Sequence, residues 1–214
     1  MKPIRFFIVK VPKATKDTIE IAGKEMYLDS RFDEFAHRAH EGEVIGVPEL
    51  YKTGVNVGDT LYFHHHVVIG GNHMVYGNQQ LKDAKLRRGQ FIYGNEDLYY
   101  VRWDGGYDPH SCQAYAYKCK KTQEIRLLGE WIFLTPAPQE DELKSDVLDI
   151  IQEKKTYNQY GYIKYPSAKL EELGLHPGDK VFIQKNADYS MEVDGEVLYR
   201  VLLIHIYAQV QEQI

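Results

Sequence analysis

The chain has 214 residues, 43% of them apolar and 27% charged, with a net charge of −5. That length allows one large domain or two of roughly 100 residues each, and the balance of apolar and charged residues excludes disorder as the main state. The acidity removes the electrostatic basis for a sequence-independent grip on nucleic acid, so no nucleic-acid partner is expected.

Along the chain, Phe6-Phe7-Ile8-Val9, closed by Pro12, reads as a short strand. Lys13–Glu41 is long and polar, with apolar islands at Ile19-Glu20-Ile21 and Met26-Tyr27-Leu28. Thr18–Asp29 reads either as part of a functional loop or as a plain hairpin around Gly23-Lys24. Gly42-Glu43-Val44-Ile45 is a second strand, and Val57-Gly58-Asp59 a turn entering the strand Thr60–Phe63. His64-His65-His66 continues that strand. Alternation puts His64 and His66 on one face, as a candidate two-ligand site. No carboxylate or thiol lies at a useful local spacing, so these histidines read as a solvent- or lumen-facing strand and no metal is expected. After a segment of low regularity, Glu96–Arg102 and Gln113–Lys118 read as strands around a Gly-rich turn at Trp103–Asp108.

Trp131–Leu134, followed by Pro136 and Pro138, opens a second series. A polar stretch, Gln139–Tyr160, holds the apolar island Val147-Leu148-Asp149-Ile150-Ile151, with Ser145 a candidate N-cap for a short helix. Gly161-Tyr162-Ile163 and Lys180–Ile183 are strands, the latter entered through Pro177-Gly178-Asp179. Tyr189–Val193 and Glu196–Val201 face each other across Asp194-Gly195, a strong hairpin signal.

The two series are one unit written twice. Phe6 matches Trp131 at an offset of 125, Gly42 matches Gly161 at 119, and Gly58 matches Gly178 at 120. Glu96–Arg102 matches Gly195–Val201 at a smaller offset, which implies about 20 extra residues in the first copy. The expected units are 1–122, with an enlarged insert near 64–95, and 123–214. Short strands with Gly and Pro turns at this spacing favour small β-barrels.

These residues resemble the GroES-type co-chaperonins. A first β-strand, a long loop with an apolar island, Gly42-Glu43-Val44-Ile45-Gly46-Val47, and then Val55-Asn56-Val57-Gly58-Asp59-Thr60-Leu61-Tyr62-Phe63 follow that family's order, and the second copy is similar across Trp131–Tyr207. It departs by its insert, by Tyr160-Gly161-Tyr162-Ile163 in place of Gly-Glu-Val, and by lacking a clean glycine-rich apolar tripeptide in the loop. Such divergence suits a virus-encoded or organelle form. The resemblance implies an all-β protein of two tandem GroES-like barrels, each with a mobile loop, that caps a GroEL-type chaperonin ring and assists ATP-dependent folding of an unfolded client protein. The chaperonin contacts would be Ile19, Ile21, Met26, Tyr27, Leu28, Val147, Leu148, Ile150 and Ile151. The final strand of one subunit would lie beside the first strand of its neighbour. Phe6, Ile8, Val201, Leu203 and Ile206 would then form the seam of a homo-oligomer of three to seven chains. A structural or assembly protein built on the same barrels is the alternative.

No enzyme is expected. The chain has no phosphate loop of the GxxxxGK[ST] type and neither GxSxG nor HExxH. Cys112 and Cys119 match no redox or zinc spacing and fit a reducing compartment; in a strand they would lie on opposite faces. No cofactor is expected. Four apolar residues between Arg5 and Lys10 fall short of a signal segment, and Val201–Ala208 is too short to span a bilayer. The expected setting is the cytoplasm, the host's if the protein is viral, without a membrane partner.

Overall fold

The computed structural model describes residues 2–14, 18–21, 24–27, 38–68, 91–92, 95–106, 108, 111–138 and 156–210. The chain divides into two compact units, 1–128 and 129–214. The first holds β1 (Phe6–Lys10), β2 (Thr18–Ile21), β3 (Lys24–Tyr27), β4 (Glu41–Gly46), β5 (Thr60–Phe63), β6 (Phe91–Ile92), β7 (Asn95–Arg102), β8 (Ala114–Lys118) and β9 (Ile125–Leu127). The second holds β10 (Trp131–Pro138), β11 (Thr156–Tyr165), the helix α1 (Ala168–Glu172), β12 (Lys180–Ile183), β13 (Tyr189–Val193), β14 (Glu196–Leu202) and β15 (Ile206–Gln209). The described residues are nearly all β, consistent with the expected all-β class.

Strand order repeats between the units. The first sheet runs β6-β7-β1-β4-β5-β8-β9 and the second β13-β14-β10-β11-β12-β15. With β1 set on β10, the orders coincide strand by strand, and β9 is the one addition. Register agrees as well: Phe7 lies opposite Val101 and Val9 opposite Tyr99, while Ile132 lies opposite Val201 and Leu134 opposite Tyr199. Every pairing is antiparallel. No ladder joins β6 to β9 or β13 to β15 among the described residues, which show two antiparallel sheets and no closed barrel.

The Gly-Asp turn is repeated hydrogen bond by hydrogen bond. Val44 N donates to Asp59 O at 2.8 Å and Gly58 N to Val44 O at 2.8 Å. In the second unit Ile163 N donates to Asp179 O at 2.9 Å and Gly178 N to Ile163 O at 2.7 Å. Gly58 and Gly178 sit at φ +92° and +96°, a region where a Cβ is strained, so the turn requires glycine. Gly42 and Gly161 serve a different need. A Cβ on Gly42 would lie 2.8 Å from Val11 Cγ2, and one on Gly161 would lie 2.9 Å from Leu134 Cβ. The second strand of each unit thus passes closely over the first. The Asp194-Gly195 hairpin forms as expected, with φ of +53° and +80° and Val193 opposite Glu196. Two consecutive positive φ values match a two-residue turn whose twist suits the flanking strands.

Each unit has its own apolar core. Phe7, Val9, Val44, Leu61, Phe63 and Val101 are fully buried in the first, and Ile132, Leu134, Val181, Ile183 and Val201 in the second. Burying such a side chain contributes about 1.5–3 kcal/mol. α1 closes the second core through Leu170, which is 1% exposed. Ser167 caps this helix by accepting from Leu170 N at 3.3 Å.

Several expectations change. The boundary falls after Leu128 instead of at 122, because β9 hydrogen-bonds to β8 and so belongs to the first unit. β10 runs on through Pro136 and Pro138 by way of an irregular register, which accommodates the missing donors. Cys112 and Cys119 flank β8 instead of lying in a strand. The strands holding Phe6, Ile8 and Val201 were expected to pair with a neighbouring chain. However, β1 is paired by β4 and β7, and β14 by β10 and β13. Ile8 and Val201 are buried inside their units, because their strands are internal to the sheets. Phe6 is half-buried against Tyr100, with ring centroids 5.3 Å apart. Leu203 lies in a 3₁₀ turn, and Ile206 in β15, the last strand of its sheet.

Candidate functional site

The long stretch between β1 and β4 contains the β2–β3 hairpin, a two-stranded sheet of its own. Thr18 lies opposite Tyr27, Ile19 opposite Met26, Glu20 opposite Glu25 and Ile21 opposite Lys24. Positions 19, 21, 24 and 26 therefore share one face of the ladder, and 18, 20, 25 and 27 the other. By register and residue type, one set holds Ile19, Ile21, Met26 and Lys24 and the other Thr18, Glu20, Glu25 and Tyr27. An isolated two-stranded hairpin is marginally stable in water. Met26 is 51% exposed. The plain hairpin reading of Thr18–Asp29 thus describes the backbone at 18–21 and 24–27. Leu28, Val147, Leu148, Ile150 and Ile151 lie outside the described residues, as do most of the 64–95 insert and the Ser145 helix start.

A second constellation sits where β5 ends. Phe63 N donates to His40 O at 2.8 Å, and His64 N to Gln113 O at 3.0 Å. The chain then leaves the sheet in a 3₁₀ turn, His65–Val67, instead of continuing as a strand. Val67 and Val68 are both buried, at 0% and 2% exposure, which a turn permits and a strand with one buried face does not. His64 caps the turn, its Nδ1 accepting from His66 N at 3.1 Å. The turn gathers all three rings: centroids are 4.3 Å apart for His64–His65, 4.2 Å for His64–His66 and 4.4 Å for His65–His66. Strand alternation pairs His64 with His66 and leaves out His65. The signal that could have found it is the apolar pair Val67-Val68, immediately after the histidines. Burial holds the His66 imidazolium below its ordinary range.

A third polar centre ties down the loop between β7 and β8. Asp104 Oδ1 accepts from Cys112 Sγ at 2.9 Å and from Gly106 N at 2.9 Å. Its Oδ2 accepts from Asp108 N at 3.0 Å and Ser111 Oγ at 3.1 Å. Burial alone would raise the Asp104 carboxyl, but these four donors outweigh it and hold the group below its ordinary range. Burial, and then the bond to Asp104, push the Cys112 thiol up to about 12. Cys112 is therefore a protonated donor and a poor nucleophile. Gly105-Gly106 form a turn after β7, as the glycines suggested.

No protein-family model and no curated protein sequence matches the chain.

Proposed function

We propose that this protein is a non-enzymatic co-chaperonin of the GroES type, which caps a GroEL-type chaperonin ring and assists ATP-dependent folding of an enclosed client chain. The observation that carries the reading is a sheet duplicated in strand order, with a long segment joining the first and second strands of each copy. In the first copy that segment carries a separate hairpin with one largely apolar face. Such a hairpin, marginal alone, gains by laying its apolar face and edge against a groove on a partner. Ordering it costs free energy, so each contact is weak and reversible, and several loops in one homo-oligomer act together. Hydrolysis in this reading belongs to the ring.

The test mixes the chain with a purified chaperonin ring and ATP or ADP and follows co-sedimentation. Nucleotide-dependent capture is expected, lost in the Met26→Asp variant while its thermal melt stays within a few degrees of the parent, because charge in an apolar groove is costly and an exposed position such as Met26 contributes little to stability. Failure of the parent chain to bind in either nucleotide overturns the reading and favours a structural or assembly role. Unfolding of the variant would place the hairpin in the core. Native mass spectrometry adds a second check, since a strictly monomeric chain at micromolar concentration contradicts a ring-shaped lid.

A further inference from the structure

We propose that His64, His65 and His66 form a binding site for a late first-row divalent transition metal ion, zinc being the fitting occupant. This goes beyond the co-chaperonin reading and does not depend on it. One nitrogen from each of the three imidazoles can be chosen so that all lie within 4.8 Å of one another. Two ligands of a tetrahedral zinc, each about 2.0–2.1 Å from the ion, are about 3.4 Å apart. The remaining closure is within reach of small side-chain rotations, because His64 is half-buried and His66 exposed.

The backbone beneath the cluster is fixed. Val67 N donates to His64 O at 3.0 Å and Val68 N to His65 O at 3.1 Å, and both valines are anchored in the core. His65 is 7% exposed, and His40 packs edge-on against it with centroids 5.9 Å apart. The donor set decides the class of ion. Three imidazoles without an oxygen ligand suit zinc, copper, nickel or cobalt and do not suit calcium or magnesium. Three protein ligands leave one position open for water.

The second unit is an internal control. Gln184 N donates to His205 O at 2.9 Å, as His64 N does to Gln113 O, so the chain leaves β12 as it leaves β5. The residues there are Gln184, Lys185 and Asn186, which supply no imidazole set. The cluster is therefore not a requirement of the fold.

The experiment titrates the chelator-stripped full-length chain with zinc chloride by calorimetry and with cobalt(II) by visible absorption. One ion per chain and a tetrahedral cobalt spectrum are expected. His66→Ala should weaken zinc binding at least about tenfold, since even outer-shell partners of a metal cost about 10–100-fold when removed. Zinc should raise the melting temperature of the parent and leave that of His64→Ala/His66→Ala unchanged, because an ion that binds only the folded state stabilises it. If metal-free His66→Ala melts well below the parent, His66→Asn replaces it. Unchanged zinc affinity in the exposed-site variant overturns the proposal. So does binding no tighter than that of the guanidinium-unfolded chain, or the absence of any zinc-dependent shift in melting.

Discussion

At the Gly-Asp turn the two units carry the same motif under different constraint. In the first, Asp59 is 3% exposed and accepts from Asn56 N at 2.8 Å and from Lys120 N at 2.9 Å. Lys120 belongs to the turn that leads into β9, a strand without a counterpart among the described residues of the second unit. In the second, Asp179 is half-buried and accepts from His176 N at 2.8 Å, the counterpart of the Asn56 contact. A duplicated sheet thus keeps its own turns and registers, while the connections between strands are free to diverge. Loops are solvated and tolerate change, whereas a one-residue slip in a strand moves its whole apolar set off the core. The same contrast holds after the third sheet strand, where one unit places three imidazoles and the other a short polar turn into β13.

The comparison breaks first at the aspartates. Asp59→Ala strips a buried carboxylate from two backbone donors, and each donor left unsatisfied costs about 1–3 kcal/mol. We expect a loss of about 2–4 kcal/mol for Asp59→Ala and about 1 kcal/mol for Asp179→Ala, read by urea unfolding. Equal losses would mean that β9 contributes nothing to the turn.

The glycines sharpen it next. Gly42→Ala and Gly161→Ala should each destabilise by about 1–3 kcal/mol, since the added methyl has to displace a packed neighbour. The expected result is similarity between the two, because both Cβ positions meet the preceding strand: 3.0 Å from Lys10 O in one unit and 3.2 Å from Thr135 O in the other. A neutral effect at one site and a large one at the other would show that the strand crossing is not shared.

The smallest effect separates the cysteines, which only the first unit has. Cys112 titrates higher folded, at about 12, than the ordinary 9.0. Its folded form therefore holds the proton more tightly, and its share of stability is complete below about pH 9 and lost as pH rises toward 12. The melting temperature should fall more steeply between pH 9 and 11 in the parent than in Cys112→Ser. Backbone and side-chain hydrogen bonds from Thr122 hold the Cys119 thiol below its ordinary range. Iodoacetamide at pH 8 should therefore label Cys119 and spare Cys112, and equal labelling of the folded chain would contradict the Asp104 contact.

Local chemistry made much of the fold legible in the sequence. Gly58 and Gly178 need φ near +90°, Asp194-Gly195 needs two positive φ values, and the short apolar runs at Phe6 and Trp131 are each followed within a few residues by proline, so these features announce themselves residue by residue. The repeat follows because the same local demands recur in the same order. α1 was missed although Ser167, Leu170 and Gly174 (φ +81°) spell a cap, an apolar anchor and a stop. Five residues are too few for helical periodicity to show. The other misses needed tertiary information. Which strands become internal depends on pairings tens of residues apart, and no run at Ile8 or Val201 reveals that both of its edges are taken. β9 is only three residues long, Ile125-Arg126-Leu127, too short for alternation to show, and only its ladder to β8 makes it a strand. The histidine turn depends on Val67 and Val68 finding the core together. Strand alternation gave His64 and His66 a common face; burial of the two valines curled the backbone and brought His65 to the same place.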